Sequence, residues 1–246
     1  MYDAIGDVHG CVSELKELLD KLGYKDNGKF YFHPDNRILI SVGDIVSRGP
    51  DSLGVISIMR NMTSSHTALL TIGNHDEKIK RYLMGNKVKL THGDDKTVEE
   101  INNSNIDKIE LLNFLSSLPY FLSLDNENLI VTHASFKDNH IKEDGFSKRV
   151  RDLCLFGPTN GFNNELGIPN RIEWVSLREK SSPLIIYGHS PYLEVRIENG
   201  TIGVDTGCVY GNKLSAYSYP EGIITSVNAK QSYSGKVGEW SPQRKV

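Results

Sequence analysis

Apolar residues in this chain gather into short runs that stop at glycine. Tyr2-Asp3-Ala4-Ile5 runs into Gly6-Asp7-Val8-His9-Gly10, and Ile38-Leu39-Ile40-Ser41-Val42 runs into Gly43-Asp44. Ala68-Leu69-Leu70-Thr71-Ile72 runs into Gly73-Asn74-His75-Asp76. Short apolar runs with this punctuation predict buried strands, and open α/β sheets place ligands at the carboxyl ends of such strands. Between them the period changes. Leu15, Leu18, Leu19 and Leu22 recur at helical spacing, Glu14, Lys16, Glu17 and Lys21 take the other face, and Gly23 marks the stop. The amino end of this helix follows the Asp7/His9 loop, so its dipole points toward any anion bound there. Gly49-Pro50-Asp51-Ser52 opens a second helix carrying Leu53, Val55, Ile56 and Met59. A third begins near His75 or Asp76 and runs to about Met84.

The remaining chain reads in the same terms. Residues 24–36 form a polar loop or short hairpin, with Pro34-Asp35-Asn36 as its turn. Asp107-Lys108-Ile109-Glu110 resembles a capping box ahead of Leu111, Leu112, Phe114 and Leu115, and Pro119 ends that helix. Tyr120–Leu124 and Asn128–Thr132 predict a hairpin across Asp125-Asn126-Glu127, whose second strand delivers His133-Ala134-Ser135. Residues 137–183 carry Arg149, Arg151 and Arg178 among short helical patterns, and read as a lid or substrate-facing insertion. Pro183–Tyr187 then delivers Gly188-His189-Ser190-Pro191. Two strands around 193–204 lead to Asp205-Thr206-Gly207, and a closing pair covers about 213–227. The expectation is one α/β domain over residues 1–228, with a polar tail over 229–246 free to fray.

Composition narrows the classes. A chain of 246 residues suffices for one large α/β core. A net charge of −3 forecasts no polyanion-binding surface, so no strong nucleic-acid interface is expected. Cys11, Cys154 and Cys208 are too scattered for a disulfide framework or a cysteine zinc site. Reduced thiols and a cytoplasmic setting are expected. The first residues enter a strand without a basic-then-apolar leader, and no apolar run approaches the roughly 20 residues of a membrane span.

The strand-end residues Asp7, His9, Asp44, Asn74, His75, His133 and His189 share one chemistry. Carboxylates, imidazoles and an amide oxygen suit borderline divalent metals. A structural zinc site needs four ligands, whereas this set suffices for two ions sharing a carboxylate. Such pairs, roughly 3.5–4 Å apart, activate a water and clamp a phosphoryl oxygen during in-line displacement.

At these residues the chain resembles a known family. Asp7-Val8-His9-Gly10, Gly43-Asp44-Ile45-Val46-Ser47-Arg48-Gly49, Gly73-Asn74-His75-Asp76, His133-Ala134 and Gly188-His189-Ser190-Pro191 look like the five motifs of calcineurin-like metallophosphoesterases of the phosphoprotein phosphatase type. Asp205-Thr206-Gly207-Cys208-Val209-Tyr210-Gly211 and Arg149-Val150-Arg151 extend the likeness toward bacterial PrpE-type phosphatases and the phosphatase domain of bacterial polynucleotide kinase–phosphatase. The resemblance implies a sandwich of two mixed β-sheets flanked by helices, with the site at strand ends. It implies two divalent ions, with manganese first and nickel, iron, zinc or cobalt as alternatives. Asp7 and His9 would hold one ion, Asn74, His133 and His189 the other, and Asp44 would bridge them. Arg48 would clamp the phosphate and His75 would protonate the leaving oxygen.

One position departs from the pattern. The family usually has aspartate where this chain has Ser47, and that carboxylate pairs with the histidine acid. A serine carries no charge, so His75 is expected to be a weaker acid catalyst here, with Asp51 or Asp76 as candidate substitutes. Asn74, Arg151 and Asp205 are expected beside the substrate, with His92 a weaker candidate. The expected activity is hydrolysis of phosphomonoesters, including phosphoserine or phosphothreonine in proteins. A dinucleoside polyphosphate hydrolase of the diadenosine tetraphosphate type is the alternative, and a metal-binding regulatory protein of low activity is the third. The partner expected is a phosphorylated protein or a nucleotide.

Overall fold

A computed structural model describes residues 1–163, 168–179 and 183–234. In chain order it contains β1 (Tyr2–Ile5), α1 (Val12–Leu22), β2 (Lys25–Asp26), β3 (Tyr31–Phe32), β4 (Ile38–Ser41), α2 (Ser52–Ser64) and β5 (Ala68–Leu70). Then come α3 (Asn74–Leu83), α4 (Asp94–Asn103), α5 (Lys108–Ser116), β6 (Phe121–Leu124), β7 (Leu129–Thr132) and α6 (Lys148–Phe156). The last part holds β8 (Thr159–Asn163), β9 (Ile168–Arg171), α7 (Trp174–Leu177), β10 (Leu184–Tyr187), β11 (Arg196–Glu198), β12 (Thr201–Gly203), β13 (Lys213–Tyr219) and β14 (Ile223–Asn228).

Ten of the strands form two mixed sheets, ordered β14-β13-β1-β4-β5 and β11-β12-β10-β7-β6. In the first, β1, β4 and β5 run parallel, and β13 pairs antiparallel with β1. In the second, β7, β10 and β12 run parallel, with β6 and β11 antiparallel at the edges. Alternation along the strands explains the layering. Ala4 and Ile40 point to the second sheet, where they meet Leu129, Val131, Ile186, Ile202 and Val204. Ile5 and Leu39 point the other way, onto Leu15, Leu18, Val55, Ile56 and Leu115 of the helices. Each such side chain contributes about 1.5–3 kcal/mol when fully buried. The outer face of the second sheet is covered by Val150 and Cys154 of α6, which pack on Ile130 and Ile185.

Local signals set the helix ends. Gly23 adopts φ +96° after α1, and Asp51 caps α2 by accepting from the Gly54 amide at 2.7 Å. Asp107 caps α5 by accepting from the amides of Ile109 and Glu110. Helix α4 has no counterpart among the apolar repeats of the sequence. The segment 137–183, expected to be a lid or substrate-facing insertion, is divided among its described residues: α6 packs on the second sheet, and the β8–β9 hairpin with α7 borders the cleft. Residues 164–167 and 180–182 lie outside the described residues. The start of the polar tail is anchored, since Tyr233 donates to Glu14 Oε1 at 2.7 Å and its amide bonds to the Val209 carbonyl. The rest of that tail, 235–246, lies outside the described residues. Among the described residues no helix is long and apolar enough to cross a membrane.

Candidate active site

The parallel strands of both sheets end at one seam. There the loops approach so closely that only glycine fits. At Gly43 φ is +96°, and a Cβ would lie 2.4 Å from the Gly73 nitrogen. A Cβ on Gly73 would lie 2.2 Å from both the Asp44 nitrogen and its Oδ1. These two loops therefore sit back to back, which sets Asp44 beside Asn74 and His75. Asp76 braces the pair by accepting from the Ile45 amide at 3.1 Å and the Gly73 amide at 2.9 Å. Burial, reinforced by Asp44, pushes the Asp76 carboxyl up to about 7. Asp44 Oδ1 in turn accepts from the His75 amide at 2.8 Å, at the α3 N-terminus where the helix dipole favours an anion.

Two groups of potential ligands meet here. Asp7, His9 and Asp44 bring one ligand atom each within 4.8 Å of one another, and so do Asp44, His133 and His189. Asp44 belongs to both. Asn74 joins the second group, with Oδ1 3.0 Å from His133 Nε2. The Val46 carbonyl accepts from His9 Nδ1 at 2.9 Å, and the Val42 carbonyl from His133 Nδ1 at 3.1 Å. These backbone acceptors fix Nε2 of each ring as the lone-pair nitrogen, the arrangement a metal-binding histidine needs. His133 Nε2 then faces Asn74 Oδ1 and, at 3.4 Å, Asp44 Oδ2, with His189 Nδ1 at 3.0 Å. Lone pairs crowded in this way repel unless a cation lies among them. Nε2 of His189 is itself buried without a hydrogen-bond partner among the described residues. The donor set fits borderline divalent ions.

Burial shapes the charges. It lowers His9 to about 3, and lowers His133 and His189 as well, so these rings stay neutral and able to coordinate. Asp7 is raised well above the usual carboxylate range by burial, then by Asp205 and Asp44. For Asp44 burial acts upward too, but His133, His75 and His9 outweigh it and hold the carboxyl low. Asp205 is buried behind Asp7, accepts from the Gly207 amide at 2.9 Å, and is pushed up to about 7 by burial.

Beside the second ring nitrogen of His75, Arg48 Nη2 lies 3.2 Å from Nε2, and its guanidinium stacks over the Tyr210 ring at 5.5 Å. Among the described residues the buried Arg48 Nε has no hydrogen-bond partner. The other nitrogen of His75 is met by a carboxylate the sequence did not point to. Asp94 Oδ1, at the first residue of α4, accepts from His75 Nδ1 at 2.6 Å. Ser47 Oγ donates to the same oxygen at 2.9 Å. The expectation that His75 lacks an anionic partner is thereby corrected. Neither named substitute fills the place, since Asp51 caps α2 and Asp76 holds Gly73 and Ile45.

Arg151 is taken up by acids, Glu77 at 2.9 Å and Asp152 at 2.6 Å. His92 is exposed on the loop before α4. A different arginine borders the cleft. Arg171, at the end of β9, lies 3.4 Å from Ser190 Oγ and bears electrostatically on His133 and His189. Together with Trp174, Tyr187 and Tyr192 it lines the recess that opens beside His189.

Known proteins share this architecture. The model for the family described as calcineurin-like phosphoesterase matches residues 2–216. Curated relatives from Halalkalibacterium halodurans and Oceanobacillus iheyensis are each 40% identical, over 94% of this chain and 94% and 93% of theirs. Both are described as bis(5'-nucleosyl)-tetraphosphatase PrpE, asymmetrical. A crystal structure assigned as a candidate diadenosine tetraphosphatase superposes with TM-score 0.65 at 26% identity, covering 93% of each chain. A serine/threonine phosphatase from Saccharomyces cerevisiae shares the fold, with TM-score 0.62 at 16% identity over 93% of this chain and 79% of that one. This chain, with its mixed sheets and its divalent-metal donor set at their seam, belongs to the calcineurin-like phosphoesterases and is a hydrolase of phosphate ester or anhydride bonds.

Proposed function

We propose that this protein hydrolyses dinucleoside tetraphosphates asymmetrically, releasing a nucleoside monophosphate and a nucleoside triphosphate. The observation that carries the reading is the 40% identity, along nearly the whole chain, to relatives described by that activity. Geometry supports it from a second direction. A polyphosphate chain presents several anionic groups in a row, and two arginines, Arg48 on the loop after β4 and Arg171 at the end of β9, border the site. Arg171 has no carboxylate partner among the described residues. Beyond it, sharing Pro158, Ile172 and Trp174 with the recess beside His189, lies a cavity of about 460 Å³ walled by Phe136, Trp174 and Leu177. Apolar and aromatic walls with a few polar groups suit a nucleoside.

In this reading Asp7, His9 and Asp44 hold one divalent ion, and Asp44, Asn74, His133 and His189 the other, with manganese as the proposed metal. The ions supply Lewis-acid polarisation of the phosphoryl group. Arg48 grips the equatorial phosphate oxygens through its planar fork, and its stacking on Tyr210 fixes the approach. His75 in its imidazolium form, with Nδ1–H held by Asp94, delivers the Nε2 proton to the leaving oxygen, while Asp205, held by the Gly207 amide, orients the bound ligand from behind Asp7. The proposed setting is the cytoplasm, consistent with three buried, unpaired cysteines.

The test is turnover of diadenosine tetraphosphate with manganese, products resolved by chromatography. AMP and ATP in equal amounts are expected, at a kcat/KM above that for phosphoserine peptides. ADP alone would overturn the asymmetry, and preference for phosphopeptides would return the activity to phosphomonoesters. No hydrolysis of either would favour a regulatory metal-binding role.

A further inference from the structure

We propose that Asp94 is the positioning carboxylate of His75, relocated from the strand loop to the first residue of α4, and that Ser47 now serves as its brace. The inference rests on His75 being the proton donor of the proposed reaction.

The geometry is specific. Asp94 is fully buried, and each of its oxygens has two donors. Oδ1 receives His75 Nδ1 at 2.6 Å and Ser47 Oγ at 2.9 Å. Oδ2 receives Lys78 Nζ at 2.7 Å and the Thr91 amide at 3.1 Å. A carboxylate with all its contacts satisfied holds one rotamer, and so fixes the imidazole that donates to it. With Nδ1–H committed to Asp94, His75 presents Nε2 toward Arg48, the side on which a phosphate would lie. The loop that carries Asp94 is itself seated on the phosphate clamp. Gly93 adopts φ +84°, and a Cβ there would lie 2.4 Å from the Arg48 nitrogen. Clamp, proton donor and carboxylate are thus assembled by one turn.

The arrangement also explains why position 47 is not acidic. Ser47 Oγ is within hydrogen-bond distance of Asp94 Oδ1, so an aspartate at 47 would set a second carboxylate against the first in a buried pocket. Two like charges so placed cannot both ionise without cost. The carboxylate can stand at 47 or at 94, and not at both. Introducing Ser47→Asp alone is therefore harmful here, the reverse of what the motif comparison suggests.

The experiment is a double-mutant cycle on the full chain with manganese, read against a series of phosphate esters of graded leaving group. Asp94→Asn keeps the shape and removes the charge. It is expected to lower kcat about 10–100-fold on alkyl phosphates with little change in KM, and far less on nitrophenyl phosphate. Ser47→Asp alone is expected to lower activity too. The double variant Ser47→Asp/Asp94→Asn, with its carboxylate returned to the strand loop, is expected to recover most of the alkyl-phosphate rate. A merely structural role for Asp94 predicts an equal loss across all leaving groups and no rescue, and that result would overturn the proposal. A second readout needs no turnover. In the metal-free protein, proton NMR should show a strongly downfield His75 Nδ1 proton that is lost in Asp94→Asn; its absence from the wild type would equally overturn it. If the wild type cleaves no phosphate ester or anhydride, the proposed reaction falls and this resonance alone decides whether Asp94 holds His75.

Discussion

His9, Asp44, Ser47, Arg48 and His189 all adopt positive φ, between +46° and +72°. Residues other than glycine pay roughly 1–3 kcal/mol for such backbone, and they persist in it where the surroundings over-determine them. Here the surroundings are the paired loops whose glycines leave no room for a Cβ. Gly73→Ala is the direct probe. Its methyl would overlap Asp44 at both nitrogen and Oδ1, so a loss of about 1–3 kcal/mol is expected, with weaker metal binding. Thermal melts with and without manganese, together with calorimetric titration, would measure both; an unchanged metal affinity would show that Asp44 tolerates displacement. Seven strand-end residues were visible in the sequence because each follows an apolar run that announces it. Asp94 and Arg171 follow no such run. Asp94 reaches His75 only through the turn at Gly93, and Arg171 only through pairing of β8 with β9.

Elements were legible in proportion to their apolar repeats. Helices α1, α2 and α5 and the β6–β7 hairpin carry clear periods or turn signals, whereas α3, with Ile79 its one fully buried apolar residue, was legible from the Gly73-Asn74-His75-Asp76 motif that opens it. Helix α4 buries Asp94, Thr97, Val98 and Ile101, only two of the four apolar, after a start of charged residues. A pattern so sparse is indistinguishable from loop, and the carboxylate it delivers was hidden with it. At the far end of the first sheet, a polar latch does work that alternation also conceals. Asp3, 1% exposed on β1, receives Arg37 Nε at 2.9 Å, Ser218 Oγ at 2.6 Å and the Tyr24 hydroxyl at 3.2 Å. It ties β1 to β13 and to the chain entering β4. Arg37→Met would leave Asp3 buried with only neutral donors, and a loss of about 3 kcal/mol is expected. The latch is remote from the seam, so kcat should hold while the urea midpoint falls. A fall in kcat at temperatures where the variant is folded would show that the two ends of the sheet are coupled.

At the scale of the molecule, the sheets meet through an apolar layer below and a crowd of ligands above. Strands could be read from the pattern, but not the sheet each joins: Tyr2 pairs with Tyr219 across almost the whole chain. The division into two sheets was available only through the motif resemblance. Asp7, His9, Asp44 and Asn74 come from the first sheet's loops, whereas His133 and His189 come from the second's. Divalent ions held there would cross-link the sheets, so metal binding and folding should be linked. At free metal 100 times the dissociation constant, one site adds about 2.7 kcal/mol. Asp44 stands in both ligand groups and among acids: its charge bears unfavourably on Asp7, Asp76 and Asp205. Asp44→Asn relieves that repulsion, and its amide oxygen can still accept from the His75 amide. The same charge is nonetheless favoured in the fold, since against burial His133, His75 and His9 hold the Asp44 carboxyl low, so without metal the variant should be somewhat less stable than the wild type near neutral pH. With manganese the wild type should gain several degrees in Tm and the variant almost nothing. His9→Ala, which touches one group alone, should keep about half of the gain. Equal metal-induced gains in wild type and Asp44→Asn would mean that the two groups do not share this carboxylate, and that the sheets are joined without it.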